Sequence, residues 1–249
     1  MMNYTEKTLE YYSMWLGQEK VLNQDIKDVK SIYFKDRNET QYGYGQPFDI
    51  YIFCYEDKRI ISYGDKAKEK LEKFKNGINQ GDSVEKIKSL LIDIYEKDVY
   101  HNIKYVFNEL PTNNSVARVL DYFDYGIYEE FFKKCNPNCK NVDWLKEYFG
   151  EMVQEHACVG VLDGDILVSC TDAPGMPYMS NEVQEVGINT LQEYRGKGFA
   201  TDVCIRCVEE ILENGKVPQW STDINNIASQ KLAEKVGFVK LADVITVTL

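Results

Sequence analysis

The chain has 249 residues, enough for one large domain or two small ones, and its 44% hydrophobic and 28% charged residues give the composition of a globular protein with ample core material. A formal net charge of -11 argues against nucleic acid and against anionic membrane surfaces as partners, because both are bound by lysines and arginines. The same charge suits a cationic or amine-bearing substrate.

No apolar run approaches the roughly 20 residues needed to cross a bilayer, so no membrane span is expected. The opening Met1-Met2-Asn3-Tyr4-Thr5-Glu6-Lys7 lacks the layout of a signal peptide, and a cytoplasmic location is expected. Seven cysteines, an odd number without framework spacing, fit reduced thiols in such a compartment. Cys135-x3-Cys139 and Cys204-x2-Cys207 have spacings compatible with zinc thiolates. Cys204 and Cys207, however, fall on the buried stripe of an expected helix, where free cysteine packs as a small hydrophobe. With only two histidines, His101 and His156, a histidine-rich site is excluded, and no metal is expected.

In chain order, residues 5–17 carry Leu9, Tyr12 and Leu16 at helical spacing, with Thr5 as candidate cap. Strand-like runs follow at residues 31–34, 49–55 and 59–63, the last two joined by a Glu56-Asp57-Lys58 turn. Tyr42-Gly43-Tyr44-Gly45-Gln46-Pro47 is a loop whose aromatic rings either line a pocket or stack on a neighbouring domain. A charged helix is expected over residues 65–75, with Leu71 and Phe74 facing inward. A further helix over residues 84–95 has Asp82 and Glu85 as a capping pair and Ile87, Leu90, Leu91 and Ile94 as its inner face. Residues 102–110 read as a strand stopped by Pro111. This half is mixed α and β without catalytic spacing, either a helper domain or a diverged copy of the second half.

The turn formers Asn136-Pro137-Asn138-Cys139-Lys140-Asn141 mark the best boundary, between an N-terminal α/β domain (residues 1–135) and a second domain (residues 141–249). The second opens with a helix over 142–154, faced by Trp144, Leu145, Tyr148, Phe149 and Met152. Residues 157–162 and 165–170 form a hairpin about Asp163-Gly164, and a loop covers 172–177. A strand over 183–190 then enters the turn Arg195-Gly196-Lys197-Gly198. Phe199, Ala200, Val203, Cys204, Cys207, Val208, Ile211 and Leu212 recur at the spacing of one buried helix face, which Asn214-Gly215 closes. Strand, glycine turn and helix start together put backbone N–H groups at the positive end of a helix dipole, a geometry that binds phosphate. A strand over 218–223, a helix over 226–235 ended by Gly237-Phe238, and closing strands at 239–241 and 244–249 complete the chain.

Arg195-x-x-Gly198-x-Ala200, followed by Asn226, Ser229, Leu232, Gly237 and Phe238, resembles the two motifs of the GCN5-related N-acetyltransferases, the GNAT superfamily. The resemblance covers roughly residues 144–249. It implies an α/β fold of the α+β mixed-sheet kind, a GNAT-like domain preceded by the smaller N-terminal α/β domain. It also implies acetyl-CoA as cosubstrate, its pyrophosphate held by the loop Arg195, Gly196, Lys197, Gly198, Phe199, Ala200 and Thr201. The pantetheine arm would pair with the exposed edge of Ile188, Asn189 and Thr190 and be flanked by Asn226 and Ser229. An N–H on that edge would polarise the thioester carbonyl, worth roughly 2.7–4 kcal/mol where such donors have been removed.

The implied reaction moves an acetyl group directly onto the amine of a small molecule or an amino terminus, and a general base must take the amine proton. The family often places a carboxylate on the strand before the turn. Glu182 and Glu185 are the options here, and Glu185 is the catalytic candidate. Regular alternation points Glu185 away from the face of Val186, Ile188 and Thr190, and a bulge reverses that. Many relatives carry a tyrosine after the motif leucine to protonate the thiolate; here Ala233 follows Leu232. Ser229 or a loop tyrosine then does this, or the thiolate leaves unassisted, or the protein does not turn over. A non-catalytic acyl-CoA-binding or partner-binding module on the same scaffold is therefore the alternative, since a fold alone does not prove activity.

Overall fold

The computed structural model describes residues 3–41, 44–112, 115–171 and 176–249. Helix α1 (Tyr4–Trp15) is capped by Asn3, whose side chain accepts from the Glu6 amide at 3.1 Å; Thr5, the expected cap, lies inside the first turn. Strands β1 (Lys30–Tyr33), β2 (Ile50–Tyr55) and β3 (Lys58–Tyr63) follow, the last two as the expected hairpin. Helix α2 (Lys68–Asn76) precedes α3 (Val84–Tyr95), which is capped by Ser83 rather than Asp82. Asp82 instead pairs with Lys86 at 2.7 Å. Strand β4 (Tyr100–Phe107) ends this half. Tyr44 of the aromatic loop packs on Trp15 and Phe48, with ring centroids 5.6 and 4.9 Å apart, while Tyr42 and Gly43 lie outside the described residues.

Strand β5 (Arg118–Val119) and helix α4 (Tyr125–Cys135) come next. Helix α4 has no counterpart in the sequence reading, because its buried side consists only of Tyr128 and Phe131, too few for a period to show. Helix α5 (Leu145–Gln154), the hairpin β6 (Val159–Asp163) and β7 (Ile166–Thr171), and strands β8 (Val183–Glu185) and β9 (Ile188–Thr190) follow. Four residues of the expected loop, 172–175, lie outside the described residues. Helix α6 (Phe199–Glu213), strand β10 (Val217–Asp223), helix α7 (Ile227–Val236) and strand β11 (Phe238–Val247) complete the order. The two expected closing strands are one, with an irregularity between Lys240 and Ala242 that leaves the ladder to β4 otherwise intact.

Among the described residues the strands form two sheets, a seven-stranded one in the order β1-β3-β2-β11-β4-β10-β8 and a four-stranded one in the order β5-β6-β7-β9. Strand β4, from the first half, sits between β11 and β10, from the second, so one sheet contains strands from both sides of residues 136–141. Helices α6 and α7 cover Ile103, Tyr105, Phe107, Trp220 and Phe238 on one face of it. Helix α1 covers the other face at Tyr51, Phe53, Val183, Val217 and Val244, through Leu9, Tyr12 and Trp15. Cys204 and Cys207 are fully buried on the inner side of α6. No helix among the described residues is long and apolar enough to cross a membrane.

The expected strand over 183–190 is divided between the sheets. Strand β8 pairs parallel with β10, whereas β9 pairs antiparallel with β7. The Val186 amide extends the pairing with β10 by one bond, donating to Gln219 O at 3.0 Å, before the chain turns to β7.

Helix α7 ends on Gly237 at φ +102°, against the segment after β4, where a Cβ would overlap the carbonyl oxygen of Glu109. Gly237→Ala is expected to lower stability by at least about 2 kcal/mol, combining left-handed strain with a backbone clash. Urea denaturation reads this as a lower midpoint with an unchanged slope.

Candidate functional site

Beyond β8, where the chain parts from β10, the outer edge of β9 has no strand partner among the described residues, and a groove of about 570 Å³ opens between that edge, the turn before α6 and the first turns of α7. The turn keeps its shape through Gly196 and Gly198, at φ +78° and +93°, conformations that cost a residue with a Cβ. The Gly198 carbonyl accepts from Thr201 and Asp202 at 2.9 and 3.2 Å and so starts α6. The amide protons of Gly196, Lys197, Gly198, Phe199 and Ala200 have no acceptor among the described residues. Unpaired amides at the start of a 15-residue helix have the geometry that favours an anion.

Of the residues singled out from the sequence, Ile188, Asn189, Thr190, Arg195, Gly196, Gly198, Phe199, Ala200, Thr201, Asn226 and Ser229 all line this groove. Lys197 does not line it; its Nζ lies 4.5 Å from the centre of the Tyr194 ring. Two of the groove residues also hold the fold. Asn226 caps α7 by accepting from the Ser229 amide at 3.1 Å, and the Ser229 hydroxyl accepts from Trp220 Nε1 at 3.2 Å. Tyr194, Ala228, Lys231, Leu232 and Lys235 line the groove as well. Sequence reasoning omitted them as site residues, although 228, 231, 232 and 235 share one helical face with the motif. With Arg195, the two lysines make the rim cationic on a chain that is acidic overall.

Glu185 lies on the opposite face of the sheet. It pairs in register with Gln219, whose Nε2 donates to Thr8 of α1 at 3.1 Å and whose buried Oε1 has no donor among the described residues. Burial pushes the Glu185 carboxyl above its usual range, and the ammonium of Lys104 opposes the rise. Glu182, the other carboxylate considered, is exposed and paired with Lys7 at 2.7 Å.

The family model for GNAT acetyltransferases matches residues 19–244. The chain belongs to the GNAT acetyltransferase family. The match begins at residue 19, well ahead of the motifs, which lie beyond residue 144. Over 103 residues the chain is 39% identical to the protein named Uncharacterized N-acetyltransferase YdfB of Bacillus subtilis (strain 168), a stretch that is 39% of this chain and 38% of that protein. Among solved structures it resembles an acetyltransferase from the GNAT family from Colwellia psychrerythraea, with a TM-score of 0.52, 17% identity, and coverage of 64% of this chain and 60% of that one. It also resembles the GCN5-related N-acetyltransferase from Sphaerobacter thermophilus, with a TM-score of 0.53, 12% identity, and coverage of 65% and 56%. These neighbours establish the fold, a GNAT α/β arrangement on mixed sheets, and the chain spans less than two thirds of each relative.

At the position where many GNAT relatives carry a tyrosine, Ala233 is fully buried in the core beneath α6 and α7. Ser229 is the groove residue with a hydroxyl nearest to it in sequence. Ser229→Ala is expected to cost about 1–2 kcal/mol in urea denaturation, since it leaves the indole N–H of Trp220 without its acceptor.

Proposed function

We propose that the chain is an acetyl-CoA-dependent N-acetyltransferase that transfers acetyl directly to the amine of a small molecule or an amino terminus. The carrying observation is the run of unpaired amides from Gly196 to Ala200 at the mouth of the groove. A diphosphate needs several donors converging on open space, and a Cβ at Gly196 or Gly198 would meet nothing within 4 Å. Arg195, Lys231 and Lys235 supply cations for the remaining phosphate charge. When bound, acetyl-CoA supplies the acetyl thioester. The residues that would hold it are the 196–201 turn, the free edge of Ile188–Asn189–Thr190, and Asn226 and Ser229 of α7.

Groove and base stand on opposite faces of one split sheet, so the amine is taken to approach from the α1 side, where the first half forms the wall. Glu185 is the proposed general base. A carboxyl lifted by burial is a stronger base than one in water, and it holds the proton the amine gives up. Ser229 accepts from Trp220 and has its own proton uncommitted among the described residues, so it is the proposed proton donor on the thiol side. The buried Ala233 favours a second reading, a module that binds acyl-CoA without turnover.

Calorimetry with CoA is expected to show binding that K231E/K235E weakens at least about tenfold, more so at low salt. Absence of any heat from CoA removes the proposal. Across an amine panel, thiol release from acetyl-CoA is expected, and Glu185→Gln should lower kcat about a hundredfold with CoA affinity retained. CoA binding without thiol release for any amine supports the second reading instead. The rate of the active protein should rise with pH through a midpoint above the usual carboxylate range, because only the deprotonated Glu185 accepts a proton and burial raises its pKa.

A further inference from the structure

Lys104 is a lysine only 8% exposed, in β4, a strand the first half contributes to the sheet. A buried ammonium is expensive, so its surroundings indicate what it serves. Its Nζ donates to Ser221 Oγ at 2.6 Å and lies 5.6 Å from the Tyr12 ring centre. Ser221 is directly across from Lys104 on β10, and Gln219, two residues earlier, is directly across from Glu185 on β8. Residues 219 and 221 share a face, so Lys104 and Glu185 lie on the same side of the sheet, with β10 between them and α1 above.

Other groups face Glu185 too: Tyr11 and Tyr12 from α1, Tyr44 from the loop before β2, and Tyr51 from β2. All four phenols are pushed up by burial and stay neutral at physiological pH. Lys104 is thus the one cation acting on Glu185 among the described residues. The influence is mutual, for burial lowers the lysine and Glu185 opposes that.

We propose that Lys104 is a positioning residue for acetyl transfer, its ammonium anchored on Ser221 so that Glu185 stays a carboxylate until the amine delivers its proton. This inference rests on the reading of Glu185 as the base. In the step, an N–H bond of the amine breaks and an O–H bond forms on Glu185; Lys104 keeps all three of its protons and changes no bond. Burial alone would favour the neutral acid, which accepts nothing. The lysine charge offsets that, and Ser221 holds it in place against the fold of α1.

The test uses the full chain with carboxyl-carbon-labelled glutamate, the Glu185 resonance being assigned by its loss in E185Q. Its titration midpoint is expected to rise by about one pH unit or more in K104M, and to stay near the native value in K104R. An unchanged midpoint in folded K104M overturns the proposal. Calorimetry with CoA verifies that each variant is folded, and K104Q is read by the same criterion if K104M does not fold. With an accepting amine, the rising limb of the thiol-release pH profile should move upward in K104M by the same amount, with the plateau regained at higher pH. An active E185Q sinks the reading of Glu185 itself. An inactive E185Q together with an unshifted K104M sinks only the role of Lys104.

Discussion

One backbone hydrogen bond, from the Val186 amide to the Gln219 carbonyl, marks where the molecule opens. Up to that bond the segment belongs to β10; two residues later it belongs to β7. A strand cannot follow two sheets that diverge, so one edge of β9 is left without a strand partner among the described residues, and its Thr190 carbonyl accepts instead from Arg195 Nε at 3.2 Å. The groove, the glycine turn at its mouth and the placement of Glu185 on the opposite, α1-covered face all descend from that parting.

The charge distribution follows the same line. A chain of net charge -11 gathers Arg195, Lys231 and Lys235 around the groove on the side of α6 and α7. On the α1 side, Glu185, Gln219, Ser221 and Lys104 share a face among tyrosines. On the proposed reading, the first cluster takes an anion and the second an amine. The sheet between them keeps the opposing charges apart except at the split.

Much of the second half is legible without coordinates. Arg195-x-x-Gly198-x-Ala200 and Asn226-x-x-Ser229 are local patterns in which turn geometry, helix capping and groove lining coincide, so adjacent residues carry the signal. The hairpin about Gly164 and the buried stripe of α6 are equally local, each set by period and turn chemistry. By contrast, helix α4 shows no period because two aromatic residues suffice to bury it.

What the sequence determines by itself is most of the elements, helix α4 excepted, and the glycine turn before α6, since both depend on interactions within a few residues. Only the tertiary structure decides that residues 183–190 divide between two sheets and that β4 enters between β10 and β11. It alone brings Lys104 onto the face of Glu185, 81 positions later in the chain. Strand pairing is a long-range choice governed by which edges meet, and no residue of a strand records the identity of its neighbour.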